Sequence, residues 1–225
     1  MIVVHHLNNS RSQRILWLLE ELGLSYEIRR YERDAKTMLA PPELLAVHPL
    51  GKSPVITDGA LTIAESGAIV DYLVETYGAN AGLRPAAGTP ERLRYTYWLH
   101  FAEGSAMPPL VMKLVLQRVK TAPMPFFAKP IARKIADQVL TLFVDPNLRR
   151  QVAFMEGELS KGPWFAGDRF SAADVQMSFP VEAAGQRAGV SAATTPRLAD
   201  WLRRIHARPA YAAALERGGR YDVLG

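Results

Sequence analysis

Residues 48–72 read HPLGKSPVITDGALTIAESGAIVDY, and the rest of the chain is ordered around them. Pro49 and Gly51 punctuate the entry. Val55 and Ile56 make a short β-branched run after Pro54. Asp58-Gly59 is the strongest short hairpin signal in the chain, a dipeptide that tolerates positive φ in a two-residue turn. Leu61, Thr62 and Ile63 alternate as the return strand. Glu65-Ser66-Gly67 then opens a helix whose apolar positions, Ala68, Ile69, Tyr72 and Leu73, fit a helical period. The stretch therefore predicts turn, strand, turn, strand, helix.

Two of its features carry chemistry. Ser53-Pro54 stands at a strand entry, where a proline withholds a ladder donor. A cis bond there would leave the backbone N–H and C=O of Ser53 free to pair with an extended peptide. Glu65-Ser66 sets a carboxylate, a hydroxyl and free backbone N–H groups at a helix start. Such a terminus receives a zwitterion: its N–H groups and dipole take a carboxylate, and Glu65 takes an ammonium. A small peptide with an amino-acid-like end suits both halves. A plain hairpin followed by an ordinary N-cap accounts for the same residues.

Upstream, residues 2–6 form a short apolar run that predicts a buried strand, and residues 7–12, LNNSRS, a polar loop. Ile15, Leu18, Leu19 and Leu22 share one face of a helix over 14–22, which Gly23 ends. Residues 26–30 predict a second strand, parallel to the first across this βαβ unit. A short helix over 43–47 follows Pro41-Pro42, so the order is βαβαββα, ending near residues 77–78. Ser10 and Ser12 lie at the carboxyl end of the first strand, where open α/β sheets bind ligands. Each is an N-cap candidate, and a hydroxyl there can also donate to a bound thiolate. His5 and His6 are adjacent on a strand, point to opposite faces and make no metal pair. Lys52 flanks the peptide site and could meet a terminal carboxylate.

Downstream, residues 79–88 read ANAGLRPAAG, a linker. Beyond it the pattern is helical throughout. A long helix over 90–107 should be interrupted or kinked by Met107-Pro108-Pro109, continue over 110–119 and give way to a proline-rich loop over 121–130. Further helices are expected over 131–143, 148–159, 196–206 and 210–217. Ser171 and Asp174 have the spacing of a capping box, a folding signal.

Composition narrows the chemistry. The 225 residues contain no cysteine, so disulfides, thiolate metal sites and a protein thiol nucleophile are all excluded. Any sulfur chemistry must use a thiol brought by the ligand. Net charge is +5, and the arginines near the C-terminus (Arg197, Arg203, Arg204, Arg208, Arg217, Arg220) lack a nucleic-acid motif, so a solvated basic surface is expected. No apolar run nears the roughly 20 residues that span a bilayer. No signal-peptide pattern precedes His5.

In order, NNSRSQRILWLLEELG, HPLGKSPVI, ESGAIVDYL and FSAADV resemble the cytosolic glutathione transferases over nearly the whole chain. The pattern is most similar to bacterial and fungal members of the serine type. The resemblance implies a thioredoxin-like domain over 1–80 and an all-helical domain over 89–225. It also implies a cytoplasmic homodimer that binds neither nucleic acid nor metal and has no integral membrane segment. Glutathione would be the co-substrate, bound to the first domain, with a small apolar electrophile between the two. By position, Pro54 matches the cis-proline, Ser53 the residue pairing with the cysteinyl backbone, Glu65 and Ser66 the pair holding the γ-glutamyl end, and Lys52 a residue near the glycyl end. The tyrosine type is disfavoured because the first tyrosine is Tyr26, and the cysteine type is excluded. Counting back from Arg14 gives Ser10 as the catalytic hydroxyl, with Asn9 and Ser12 as alternates. Tyr97, Phe101, Gly104, Met107 and Met112 are the candidates for the electrophile pocket. The implied activity is conjugation in detoxification. Glutathione-dependent disulfide or peroxide reduction, isomerisation, or non-catalytic binding are the alternatives. Residues 121–148 are longer and richer in proline than in many relatives, and either shape the electrophile pocket or touch a surface.

Overall fold

The computed structural model describes residues 1–34, 36–219 and 221–224. Strands β1 (Ile2–Leu7), β2 (Tyr26–Tyr31), β3 (Val55–Asp58) and β4 (Leu61–Ala64) form one mixed sheet in the order β2-β1-β3-β4. β1 and β2 are parallel, with Ile2 opposite Tyr26, while β3 and β4 return antiparallel. Helices α1 (Ser12–Glu21), α2 (Glu43–Val47) and α3 (Ser66–Tyr77) complete a thioredoxin-like unit. Ile2, Val4 and Ile56 are buried together with Ile15, Leu18 and Leu19 of α1 and Ile69, Val70 and Leu73 of α3 in one core. Burying side chains of this size supplies roughly 1.5–3 kcal/mol each.

The hairpin turn differs from the expected one by a residue. Asp58 still pairs with Leu61 in the ladder, so the two turn residues are Gly59 and Ala60. Gly59 takes the positive φ of 58° at the first turn position, the pattern that calls for glycine there. Asp58 is freed for another task. Its carboxylate accepts the Tyr72 hydroxyl at 2.9 Å and that of Tyr77, tying the hairpin to α3. These hydroxyls, Tyr77 first, hold the Asp58 carboxyl below its usual range.

Beyond Leu83, which is buried, the chain is helical: α4 (Pro90–Phe101), α5 (Met107–Thr121), α6 (Lys129–Val139), α7 (Asp145–Glu158), α8 (Ala172–Arg187), α9 (Pro196–His206) and α10 (Pro209–Gly218). Of the interruption or kink expected at Pro108 and Pro109, the interruption does not occur. A π-helical turn, Ala102–Ala106, joins α4 to α5 just before Pro108 and Pro109, and a second, Leu140–Val144, joins α6 to α7 just before Pro146. A proline has no N–H for the carbonyl four residues back and crowds it. The wider turn changes the pairing register at that point, and the helix continues. Residues 131–143 and 148–159 are thus parts of one continuous helical rod.

α8 is buried from Ala172 to Ala184 and packs on α1, α4 and α9. Its expected cap is present: the Ser171 N–H donates to Asp174 Oδ2 at 3.0 Å and the Ser171 hydroxyl at 3.2 Å. The C-terminal arginines are not a free basic surface. Arg208 grips Glu21 at 2.5 and 2.8 Å, Arg217 pairs with Glu20, Arg197 with Glu156, and Arg203 and Arg204 with Asp200. Glu20 and Glu21 therefore tie α1 to α10. Arg220 lies outside the described residues.

Candidate active site

α3 begins under strain. Glu65, at its N-cap, has φ 69° and ψ 119°, a region where a side chain crowds its own backbone at a cost of about 1–3 kcal/mol. Such strain persists where surrounding contacts hold it. Here the contact is the neighbour, Ser66, which is 3% exposed and whose hydroxyl accepts from Arg14 Nη2 at 2.6 Å. Arg14 is a cation on the buried face of α1, only 1% exposed. Its guanidinium also donates to the Gln176 carbonyl of α8 at 2.6 Å and to the carboxylate of Glu103 in the first π turn. One side chain thus joins α1, α3, α8 and the α4–α5 junction. Burial pushes the Arg14 guanidinium down from its ordinary pKa, and the Glu103 charge opposes that. Arg11 adds a second cation to Glu103 at 2.9 Å.

A cavity of about 180 Å³ opens beside this network. Lys52, Ser53, Pro54, Glu65 and Ser66 all line it, together with Arg11, His48, Leu50, Ala64 and Glu103. The Ser53–Pro54 bond is cis. The Ser53 hydroxyl donates to the His5 carbonyl at 2.8 Å and accepts the Leu7 N–H at 3.3 Å, which pins this turn to β1. Among the described residues, no backbone hydrogen bond uses the N–H or C=O of Ser53. Gly51 brings the lip of the cavity close to α2: at φ 55°, a Cβ there would sit 2.7 Å from Leu45 Cδ2.

The three loop candidates lie beside this cavity without lining it. Ser10 is 4% exposed, and its Oγ accepts the Ser12 N–H at 3.2 Å while its carbonyl accepts the Gln13 N–H, so it caps the start of α1. Its hydroxyl also meets Ser12 Oγ at 2.7 Å. Ser12 Oγ in turn meets His6 Nδ1 at 2.9 Å and the Leu7 carbonyl at 3.3 Å. His6 is buried, and burial, with Arg30 adding to it, pushes the imidazole down to about 4, so it is neutral near pH 7. Asn9 adopts φ 49°, and its amide holds Asp222 of the C-terminal tail through two hydrogen bonds, at 2.9 and 2.6 Å.

The aromatic candidates of α4 gather elsewhere. Tyr97 stacks on Phe101 at 5.7 Å, within a cluster that includes Trp98 and Phe154. Phe101 and Met107 are buried. Gly104 lies in the π turn next to Glu103, and a Cβ there would meet nothing within 4 Å. Met112 is 38% exposed on α5. Sequence reasoning gave no site role to Arg11, Arg14 or Glu103, and weighed His6 only as a metal ligand. The available signal was a charged residue, Arg14, on the same helix face as Leu18.

Two family models match the chain: the glutathione S-transferase N-terminal domain over residues 1–75 and the C-terminal domain over residues 111–209. Glutathione S-transferase 1 of Saccharomyces cerevisiae is 37% identical, covering 96% of this chain and 95% of its own. Glutathione S-transferase 3 of Schizosaccharomyces pombe is also 37% identical, covering 96% of this chain and 88% of its own. A disulfide-bond oxidoreductase of Escherichia coli is 28% identical over 96% of this chain and 94% of its own. Among solved structures, a glutathione S-transferase from Actinobacillus pleuropneumoniae has a TM-score of 0.79 at 32% identity, covering 99% of this chain and 95% of that one. A sphingomonad glutathione S-transferase complexed with glutathione has a TM-score of 0.71 at 25% identity, over 96% of this chain and 98% of that one.

Proposed function

Because the chain belongs to the glutathione S-transferase family, we propose that it joins the sulfur of glutathione to apolar electrophilic carbons, with residues 1–80 holding the tripeptide and residues 89–225 the electrophile. One observation carries this: Ser53, Pro54, Glu65, Ser66 and Lys52 converge on a single cavity. The γ-glutamyl carboxylate docks on the N-terminus of α3 at Ser66, and its ammonium meets Glu65. The free N–H and C=O of Ser53 pair with the cysteinyl backbone in the manner of an added strand. Lys52 receives the glycyl carboxylate.

The sulfur then lies at the start of α1. A free thiol has a pKa of about 8.5, so modest stabilisation makes the thiolate dominant at neutral pH. We assign that stabilisation to Ser10. Asn9 is committed to Asp222, and Ser12 is enclosed by His6, Leu7 and Ser10. The Ser10 hydroxyl, 2.7 Å from Ser12 Oγ at the start of α1, turns to the sulfur when the tripeptide is bound. The thiol proton leaves to solvent, and the thiolate forms the new C–S bond as the leaving group departs with its electron pair. Catalysis rests on ionisation and positioning. The electrophile meets Gly104 and Met112, with Tyr97, Phe101 and Met107 packed behind them. The working form is a homodimer in the cytoplasm.

Ser10→Ala tests the assignment. Turnover of a model electrophile should fall about 100-fold, with glutathione affinity by calorimetry within about twofold. Unchanged turnover would remove Ser10 from the mechanism. A second reading draws on the E. coli relative: glutathione-dependent disulfide or peroxide reduction. With no cysteine in the chain, two glutathione molecules would supply both thiols and leave as glutathione disulfide. Release of glutathione disulfide without a C–S product would select it. Glutathione binding without turnover of electrophile, disulfide or peroxide would reduce the protein to a binding module.

A further inference from the structure

We propose that the tip of the α5–α6 hairpin is a docking surface for an anionic lipid bilayer. Phe126 and Phe127 stand side by side at the tip, edge to face at 5.7 Å, and are 84% and 65% exposed. Ile131, Ile135 and Leu142 continue an exposed apolar stripe along α6 and the π turn after it, at spacings of four and seven. The opposite stripe, Ala136, Leu140 and Val144, is the one buried against the bundle. α6 therefore has two apolar faces, and packing within the chain uses one of them. Contiguous exposed apolar side chains of this kind mark a surface that meets something.

The charge around them says what. From Glu103 to Asp137 the chain carries no carboxylate between those two residues. Arg118, Lys129, Arg133 and Lys134 flank the phenylalanines, and none of them has a carboxylate partner among the described residues. Lys120 is turned to Asp137 and Lys113 to Asp145. Pro123 and Pro125 limit the loop's freedom, so presenting the two rings orders little chain. A basic helix with an exposed apolar face and aromatic residues at its end is the composition that lies in a lipid headgroup layer. Tip-to-tip contact with a second copy would set four unpaired cations against four more. Anionic headgroups neutralise them while the rings enter the acyl boundary. α5 sets the tip about 22 Å from the Glu103 turn. The proposal stands independently of the glutathione reading.

Sedimentation of the full-length protein with vesicles tests it. Vesicles of phosphatidylcholine with phosphatidylglycerol should carry the protein down. Pure phosphatidylcholine, or the mixed vesicles in about 0.5 M salt, should weaken binding about tenfold or more. Phe126→Ser with Phe127→Ser, and separately Arg133→Glu with Lys134→Glu, should each remove binding to the same degree. Both should leave the melting temperature and the turnover of a water-soluble electrophile unchanged. Absence of binding, equal binding to neutral vesicles, or indifference to both double substitutions overturns the proposal. A smaller particle mass for the Phe126/Phe127 variant in sedimentation velocity, with vesicle binding absent in the parent, would assign the tip to a second copy instead.

Discussion

Asp174 and Glu103 both bring a negative charge into the helical half of the molecule, and their surroundings differ. Asp174 is wholly buried. Its Oδ1 accepts the Phe165 N–H and the Trp201 indole N–H, each at 3.0 Å, and its Oδ2 accepts the N–H and hydroxyl of Ser171. Both oxygens are saturated by groups of the helical half. Burial pushes the carboxyl up while the four donors pull it down. Glu103 is 29% exposed, faces the cavity, and takes its cations from the sheet-bearing half of the chain. A carboxylate whose lone pairs are all used holds a fold together. One left open beside a cavity sets the positions of other groups and remains open to a ligand.

Asp174→Ala breaks this contrast most severely. It strands four donors in the core, each costing about 1–3 kcal/mol if it finds no water. With partial relaxation the loss should be about 4 kcal/mol. For a chain of this size, that lowers the melting temperature by about 8–16 °C. Calorimetry measures it. The folded fraction should keep its affinity for glutathione, and a variant with a normal melting temperature but weak binding would reverse the roles assigned to the two acids.

His6 sharpens the contrast because it is buried without a counter-charge. Its pKa is near 4 in the folded protein and about 6.5 unfolded. Between those values the unfolded chain holds a proton that the folded chain refuses. Stability from this group is complete above pH 6.5 and falls as the pH drops towards 4. The loss is at most about 3 kcal/mol, at 1.36 kcal/mol per unit. Burial lowers His5 too, so it acts in the same direction. Denaturant unfolding from pH 7 to pH 4 should therefore be flatter for His6→Asn than for the parent. Parallel curves would show that the imidazole reaches water and ionises in place.

How much of this was legible follows from how far apart the partners lie in the chain. β1, α1, β3 and β4 could be read because each announces itself within a few residues, by alternation or by Ile15, Leu18 and Leu19 on one face. Ser171 and Asp174 are three apart, so the cap was visible. Phe165 and Trp201, which complete it, stand nine and 27 positions away, and no local spacing points to them. Arg14 and Glu103 are 89 apart, joined only once α8 has packed on α1. The loop serines were visible as hydroxyls at a helix start, but the turn of Ser10 towards Ser12 depends on His6 beneath them. Met107-Pro108-Pro109 misleads because a proline forbids one hydrogen bond and not the helix. A π turn restores the path, and in doing so sets Glu103 at the rim of the cavity.

Glu103→Gln is the smallest of the three changes and the most specific. The amide keeps one acceptor oxygen, so Arg14 retains a contact there as well as those to Gln176 and Ser66. Its charge, however, loses the carboxylate that pairs with it, the only one to do so among the described residues. The guanidinium then has less reason to remain buried, and Ser66 Oγ loses the partner that fixes it at the start of α3. The expected result is a rise in KM for glutathione of about tenfold, or 1.4 kcal/mol, with kcat little changed. The melting temperature should fall by only a few degrees. Arg14→Lys should mimic it, because a single ammonium cannot reach Glu103, Ser66 and the Gln176 carbonyl with the planar fork of a guanidinium. If Glu103→Gln lowers the melting temperature as far as Asp174→Ala and leaves KM untouched, both acids are fold-holding groups and the exposure of Glu103 to the cavity has no bearing on binding.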